Sequence, residues 1–447
     1  MSAEMEKGLE LVCQSAKKRG LKFDVLAVEK KTTSISFQNR KLDQFSFSET
    51  RQMGVRIFDG QHEGVAYTEN LQPDAIEQML NQAEANARWI ERDFLSTLPG
   101  PQKFEDLKGI ADPALAHVTS EEKIKTAALL ESAALDHDSR ITSVAYTRYS
   151  DHDSQVWVAN SQGLSGTYRT LSTMGYAHCL AADPKGNAMA GDMEVQRSFA
   201  ALNAERVAKS AAEKTVKRLG AERPKTGRYT VVIENRAAEQ LLGAIADYFS
   251  AKAVDEKTSA LTGKLGQKVF SPCLTLIDNP LDVSAPGCRP FDEEGYPCQI
   301  TTLIHEGRVE NFLTNSALAK KMRLPHTASA QRSPATDLDA GATTLFLKPG
   351  TQSFADLIHS DHSVILITDL LGMAGFRAAS GDFSIPVQGF QYQNGQQTLA
   401  LKDFLISGNI LELLNTVEAV GNDVQRPVSG TVCPSLLIRE VNISGQT

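Results

Sequence analysis

Few side chains in this sequence have the type and spacing to do chemistry, and most of those are disarmed by their neighbours. His305 and Glu306 begin a metal-protease-like pair, but they fall at a glycine turn with no second histidine at helical spacing. His359 and His362, in HSDH, sit in a polar turn just ahead of the apolar run SVILITDLL. Cys288 and Cys298 frame PFDEEGYP with nine residues between them, a spacing that fits no common zinc site. TSALTGK lacks the first glycine of a phosphate-binding loop and the hydroxyl after Lys264, and no GxGxxG, GxSxG or HExxH occurs. Two strings remain. SGDFS, with Gly381, Asp382, Phe383 and Ser384, has the small residues that a peptide groove or subunit contact requires, and equally those of a bulge between core strands. GND, ending at Asp423, carries the same two readings.

The elements that must hold these residues follow from periodicity. An amphipathic helix from about Glu4 to Arg19 leads into the alternating runs FDVLAVEK, TTSISFQN, KLDQFSFSE, MGVRIFDG and HEGVAYT. These predict an antiparallel meander of short strands with turns at Asn39-Arg40 and Asp59-Gly60. A helix with Pro73 in its first turn closes the unit. After the connector STLPGPQKFEDLKG, Thr119 and Glu122 form a capping-box pattern ahead of a second helix. The strand-like runs ITSVAYTRYS, SQVWVANSQG and TMGYAHCLA and a helix from Ala201 to about Leu219 then echo the first unit. From residue 226 the texture is mainly short β segments, with hairpin turns at Glu306-Gly307 and Asn394-Gly395.

The fold class is therefore α+β: N-terminal α/β units with antiparallel sheets, then a β-rich C-terminal domain that is barrel-like or a sandwich. The expected division is 1–225, with sub-units of about 1–105 and 106–225, and 226–447. One helix stands out within the last part, AAEQLLGAIADYFSAKAV, which follows the strand GRYTVVIEN. Its Ala238, Leu241, Leu242, Ile245 and Phe249 make a continuous apolar stripe, so packing accounts for its residues.

Composition sets limits on partners. A net charge of −8 and a pI near 5.7 work against the broad basic surface that neutralises nucleic-acid phosphates. No apolar run approaches the roughly 18 residues of a membrane-spanning helix, and no apolar segment follows Met1, so a cytoplasmic protein is expected. The six cysteines are scattered, with no CxxC pair, as in a chain that keeps its thiols reduced.

GVRIFDGQHEGVAYT, SGDFS, the ISGN run ending at Asn409 and VGND ending at Asp423 resemble the TldD/PmbA family, once called modulators of DNA gyrase and regarded as metalloprotease-complex proteins. The match spans most of the chain. The resemblance implies two kinds of subunit. The TldD-like kind carries an HExxxH helix whose histidines bind zinc with a C-terminal cysteine, while its glutamate activates water. Histidines five apart lie about 140° apart on an ideal helix, so that motif needs a local irregularity. Anchored on TSALTG, the motif positions fall here on Leu242, Gly243 and Asp247, with Cys433 near the cysteine position. Leucine cannot ligate, glycine cannot act as a base, and Asp247 with Cys433 alone would hold zinc poorly. After SGDFS, IPVQ stands where the family usually has Arg/Gly/Ala-rich residues, and TLAL replaces the proline-valine expected before ISGN.

The resemblance thus implies a PmbA (TldE-like) subunit without catalytic or metal-binding residues of its own, whose zinc-bearing partner is TldD-like. Peptides or unfolded segments would be its substrates, and Gly381–Ser384 a possible peptide or partner contact. A homo- or hetero-oligomer is expected, with no nucleic acid and no membrane. Two alternatives stand beside it: an independent metallopeptidase with an unrecognised site, for instance at Asp247 or around Asp382 and His305, and a regulatory or adaptor protein.

Overall fold

A computed structural model describes residues 3–91 and 96–446. Helix α1 (Ala3–Lys18) buries Met5, Gly8, Val12 and Ala16, one stripe at helical spacing. Strands β1 (Lys22–Gln38), β2 (Lys41–Asp59) and β3 (His62–Thr68) follow, then α2 (Pro73–Ala87), whose proline occupies the first turn. The β1–β2 turn is Asn39-Arg40, both at positive φ, as a two-residue hairpin turn with the sheet's twist requires. Helix α3 (Ser120–Leu135) opens with the Thr119/Glu122 capping box. Strands β4 (Ile141–Asn160), β5 (Ser165–Asp183) and β6 (Gly186–Gln196) and helix α4 (Ala204–Val216) complete the repeat of helix, three strands, helix.

The two repeats share one sheet. Its order is β3-β2-β1-β4-β5-β6, antiparallel throughout, with β1 against β4 in the middle. Each repeat covers its half with its own helices. Phe23, Val25 and Ala27 of β1 join the α1 and α2 core, while Ala177, Cys179 and Ala181 of β5 join α3 and α4. The period of two sends the intervening residues of β1 to the opposite face, where Leu26 packs with Phe291 and Asp24 meets Arg332, both from the C-terminal part of the chain. The sheet is thus sandwiched between its helices and the C-terminal region.

That region is built on β7 (Gly227–Ile233), β8 (Ser363–Leu370), β9 (Asp382–Gln393), β10 (Gln396–Asn409) and β11 (Leu436–Ser444). β7 runs parallel to β8, and β8–β9, β9–β10, β10–β11 and β11–β7 are antiparallel pairs. The ring closes on itself, so the C-terminal region holds a five-stranded barrel. A second, smaller sheet of short strands includes Leu276–Asp278, Thr301–His305, Leu345–Leu347 and Thr431–Val432. Helix α5 (Asn235–Gly243) follows β7 directly, and its Leu241 and Leu242 fuse barrel and small sheet into one core.

Two sequence expectations do not hold, and one strand carries no sequence signal. The short strands of the meander run together into strands of 17 to 20 residues, because KKTT, SETR and DHDS stay extended instead of turning, with most of their residues exposed or partly exposed and Thr33 and Asp151 buried. GNAMAGDMEVQ, poor in β-branched residues, is the edge strand β6. The single helix AAEQLLGAIADYFSAKAV is three pieces: α5, a 3₁₀ turn over Ala246–Phe249 and a short helix Ala251–Asp255. The break is fixed from outside, where Leu313 N donates to Phe249 O and Ala251 N donates to Leu313 O, holding Ser250 extended.

Candidate functional site

The start of α5 is stapled to the loop of residues 421–435. Asn235 Nδ2 donates to Asp423 O and Oδ2 at 3.0 and 3.2 Å, and Asn235 N donates to Ser435 Oγ at 3.1 Å. Ser435 in turn donates to both Asp423 oxygens, from its N at 2.9 Å and from its Oγ at 2.6 Å. The GND string therefore anchors a loop, and Asp423 is its post.

Two turns along, Leu242 is buried in the main core and Gly243 faces Thr431: a Cβ built on this glycine would sit 3.3 Å from Thr431 Oγ1. Thr431 and Val432 lead to Cys433, so Leu242, Gly243 and Cys433 share one neighbourhood. Asp247 lies beyond the helix break and is exposed. Cys433 is 1 % exposed, and its Sγ donates to Pro434 O at 3.3 Å. Burial, then the nearby carboxylates of Glu239 and Asp423, push this thiol well above its ordinary range, so it stays protonated and unreactive.

Glu239 escaped the sequence reading. It lies three residues before Leu242 on α5, 4 % exposed, paired with Arg236 at 2.8 Å and with its Oε1 lacking a partner. Burial raises its pKa, against the pull of Arg236. An acidic residue beside an apolar helical stripe was the available signal.

The SGDFS string lies on the other side of the helix break. Gly381 takes φ +80°, and Asp382 accepts from Ser380 Oγ at 2.7 Å and from Asn409 Nδ2 at 3.0 Å. Asn409 is the last residue of ISGN and pairs with Asp382 across β9 and β10, so the two strings clamp each other. Phe383 is buried in the core, while Asp382 and Ser384 are exposed. The ring of Tyr248 lies 6.3 Å from Phe376, and burial, then the charge of Asp382, push its phenol up to about 12. Its hydroxyl is buried without a partner among the described residues.

His305 is exposed at its hairpin tip, and His359 and His362 bond Ala355 O and Asn394 Oδ1 in an exposed turn. Cys288 accepts from Arg197 Nη2 at 3.0 Å. Among the described residues, metal-ligating atoms of three side chains converge at Asp292, Glu294 and His326. Both carboxylates there are already engaged: Asp292 accepts three backbone N–H groups, and Glu294 accepts from Ser316 N and Oγ at 2.8 and 2.7 Å. They staple loops and cap the short helix Ser316–Met322.

Models of PmbA/TldA metallopeptidase domain 1, of the central domain and of the C-terminal domain match residues 23–87, 113–219 and 226–445. Metalloprotease PmbA of Escherichia coli O157:H7 is 26 % identical over 93 % of this chain and 91 % of its own length. The metalloprotease TldD homologue of Haemophilus influenzae is 23 % identical over 90 % of the chain and 88 % of its own. A solved Thermotoga maritima structure, described as a putative modulator of a DNA gyrase, superposes with a TM-score of 0.91 at 26 % identity, covering 98 % of this chain and all of that one. TldE from Thermococcus kodakarensis shares the fold, with a TM-score of 0.88 at 20 % identity over 98 % of this chain and all of its own. No helix among the described residues is long and apolar enough to cross a membrane.

Proposed function

The chain belongs to the PmbA/TldD metallopeptidase family, and from that premise we propose that it is the PmbA/TldE-like subunit of a TldD-type zinc metalloprotease, shaping the complex without performing the hydrolysis. The observation that carries this reading is the wall formed by Leu242, Gly243 and the buried thiol of Cys433. The resemblance sets Leu242 and Gly243 where the family's catalytic subunit would keep histidine and glutamate, and here they are a core leucine and a glycine beside Thr431. An apolar side chain supplies no lone pair to zinc, and glycine supplies no carboxylate to a water.

Assembly with a partner is supported by the first sheet. Among the described residues, 41–52 of β2 pair with β1 alone, because the pairing with β3 begins at Met53. This long rung of free backbone groups also carries the exposed side chains Leu42, Phe45 and Phe47. Such an edge invites an added strand from a partner or an extended peptide.

The test is peptidase assay of the purified chain, alone and mixed with the TldD-like protein of the same organism, against an unfolded protein substrate. Hydrolysis is expected only in the mixture and should vanish on chelation. Chelator-sensitive hydrolysis by this chain alone would overturn the proposal.

A further inference from the structure

A cleft of about 720 Å³ opens where the six-stranded sheet meets the C-terminal region, in the size range of small-molecule sites. Tyr168 of β5 lines one side, and Arg289 and Arg332 line it from the C-terminal part of the chain. Both arginine side chains are more than nine-tenths buried. Arg289 gives Nη1 to Glu293, but among the described residues its Nε and Nη2 have no acceptor, and Arg332 gives Nη2 to Asp24 at 2.8 Å while its Nη1 has none. Nε and Nη2 form one edge of the guanidinium, the fork whose spacing matches the two oxygens of a carboxylate. Thr343 Oγ1, on the same cleft, is also buried and unpartnered.

Buried donors left without acceptors are costly and rare, so a matching acceptor is the economical explanation. Charge narrows its identity. Lys252 joins the two arginines, but Glu293, Asp337 and Asp339 line the cleft as well. The signs balance, and a simple inorganic anion would meet as much repulsion as attraction. A ligand bearing both a carboxylate and a cationic or N–H-rich end fits that lining.

We infer that this cleft binds a short peptide with free termini, its carboxylate seated on the Nε/Nη2 edge of Arg289 and its amino end toward the cleft's carboxylates. The site lies apart from the Leu242, Gly243 and Cys433 wall and needs no hydrolysis by this chain. It gives the subunit its own hold on the peptides that the proposed complex would handle, and in that respect it rests on that reading.

The experiment is calorimetric titration of the full chain, without a partner, with tetra-alanine, its C-terminal amide and its N-acetyl form. Tetra-alanine is expected to bind saturably, and the amide at least about tenfold more weakly, since it forfeits a bidentate charge-assisted pair. The N-acetyl form should bind more weakly as well. Arg289→Gln should erase the difference between acid and amide. Thr336→Trp, at an exposed position on the cleft, should abolish binding by plugging it, with an unchanged thermal melt showing that loss of the bonds from Ser333 to Thr336 Oγ1 has not unfolded the chain. No saturable binding at millimolar peptide, equal affinity for acid and amide, or indifference to Thr336→Trp would each overturn the inference. Because no partner and no turnover enter the measurement, its failure leaves the subunit proposal standing, and the failure of that proposal leaves this result readable.

Discussion

The contact between the first sheet and the C-terminal region turns on a buried carboxylate shared by two arginines, and its removal has a calculable asymmetry. Asp24 on β1 accepts from Arg56 Nε at 3.1 Å and from Arg332 Nη2 at 2.8 Å, and all three side chains are buried. Arg332→Met deletes one partner but leaves Asp24 paired with Arg56, and methionine fills most of the vacated space. Burial, only partly opposed by Asp24, already depresses the pKa of Arg332, so its charge is held at a cost. We therefore expect a modest loss of about 1–3 kcal/mol. Asp24→Asn instead leaves two buried guanidinium groups facing a neutral amide, and the loss should reach about 3–5 kcal/mol, the usual result of stripping a buried ion pair of one member. The double variant should fall short of the sum, with a coupling of about 1–3 kcal/mol. The assay is urea denaturation followed by the fluorescence of Trp157, buried in the first core, in a Trp89→Phe background that removes the exposed second indole. A larger loss for Arg332→Met than for Asp24→Asn, or additive losses, would refute the view that Asp24 is the hub.

Other expectations follow from single groups. Asp278 Oδ1 accepts Thr343 N and Thr344 N, each at 2.8 Å, yet burial pushes its carboxyl up to about 6. A raised acid binds its proton more tightly when folded, so its contribution to stability is complete below about pH 4 and lost as pH rises through about 6. Asp278→Asn should flatten that part of a stability-versus-pH curve, and an unchanged slope would count against the assignment. Tyr248→Phe removes a buried hydroxyl that has no partner, and thermal melts should show no loss or a gain of up to about 1 kcal/mol. Gly243→Ala should change stability by less than about 1 kcal/mol, since the helix gains propensity while the methyl group presses on Thr431. Gly389→Ala should cost more than about 2 kcal/mol, because its Cβ would sit 1.8 Å from Leu366 O where the barrel ladder shifts register. Chemical denaturation distinguishes the last two.

Features written in adjacent residues were legible in the sequence. The capping box at Thr119, the proline start of α2 and the turns at Asn39-Arg40, Glu306-Gly307 and Asn394-Gly395 each need only a few neighbouring residues, and each is present. The lengths of β1, β2 and β4 were not, because polar residues that read as turns are equally content on an exposed extended rung. The break at Ser250 was hidden for another reason. It is imposed by backbone bonds from Leu313, some 60 residues away, on a segment with sound helical periodicity. Barrel closure joins β7 to β8 and β11 across long stretches of chain, and no local pattern encodes it. The site residues divide the same way. Leu242 and Cys433 could be picked out by resemblance, whereas Glu239 emerged only from burial and Arg289 only from what its donors fail to meet. PFDEEGYP was weighed for the cysteines that flank it, while its chemistry resides in the carboxylates between them and in Arg289 just before it.

Closure of the barrel also dictates an order of events on the ribosome. β7 must wait for β11 before its second edge is covered, and at ~5–20 residues per second the roughly 200 residues between them take about 10–40 s to emerge. The six-stranded sheet has all its strands by Gln196 and has no such wait. During that interval the nascent chain displays an N-terminal sheet with all its strands but one face uncovered, followed by apolar strands with open edges, the state that chaperones and proteases recognise. Nonsense truncation ahead of Leu436 would make that state permanent, so such fragments should be cleared from the cell instead of accumulating as partial subunits.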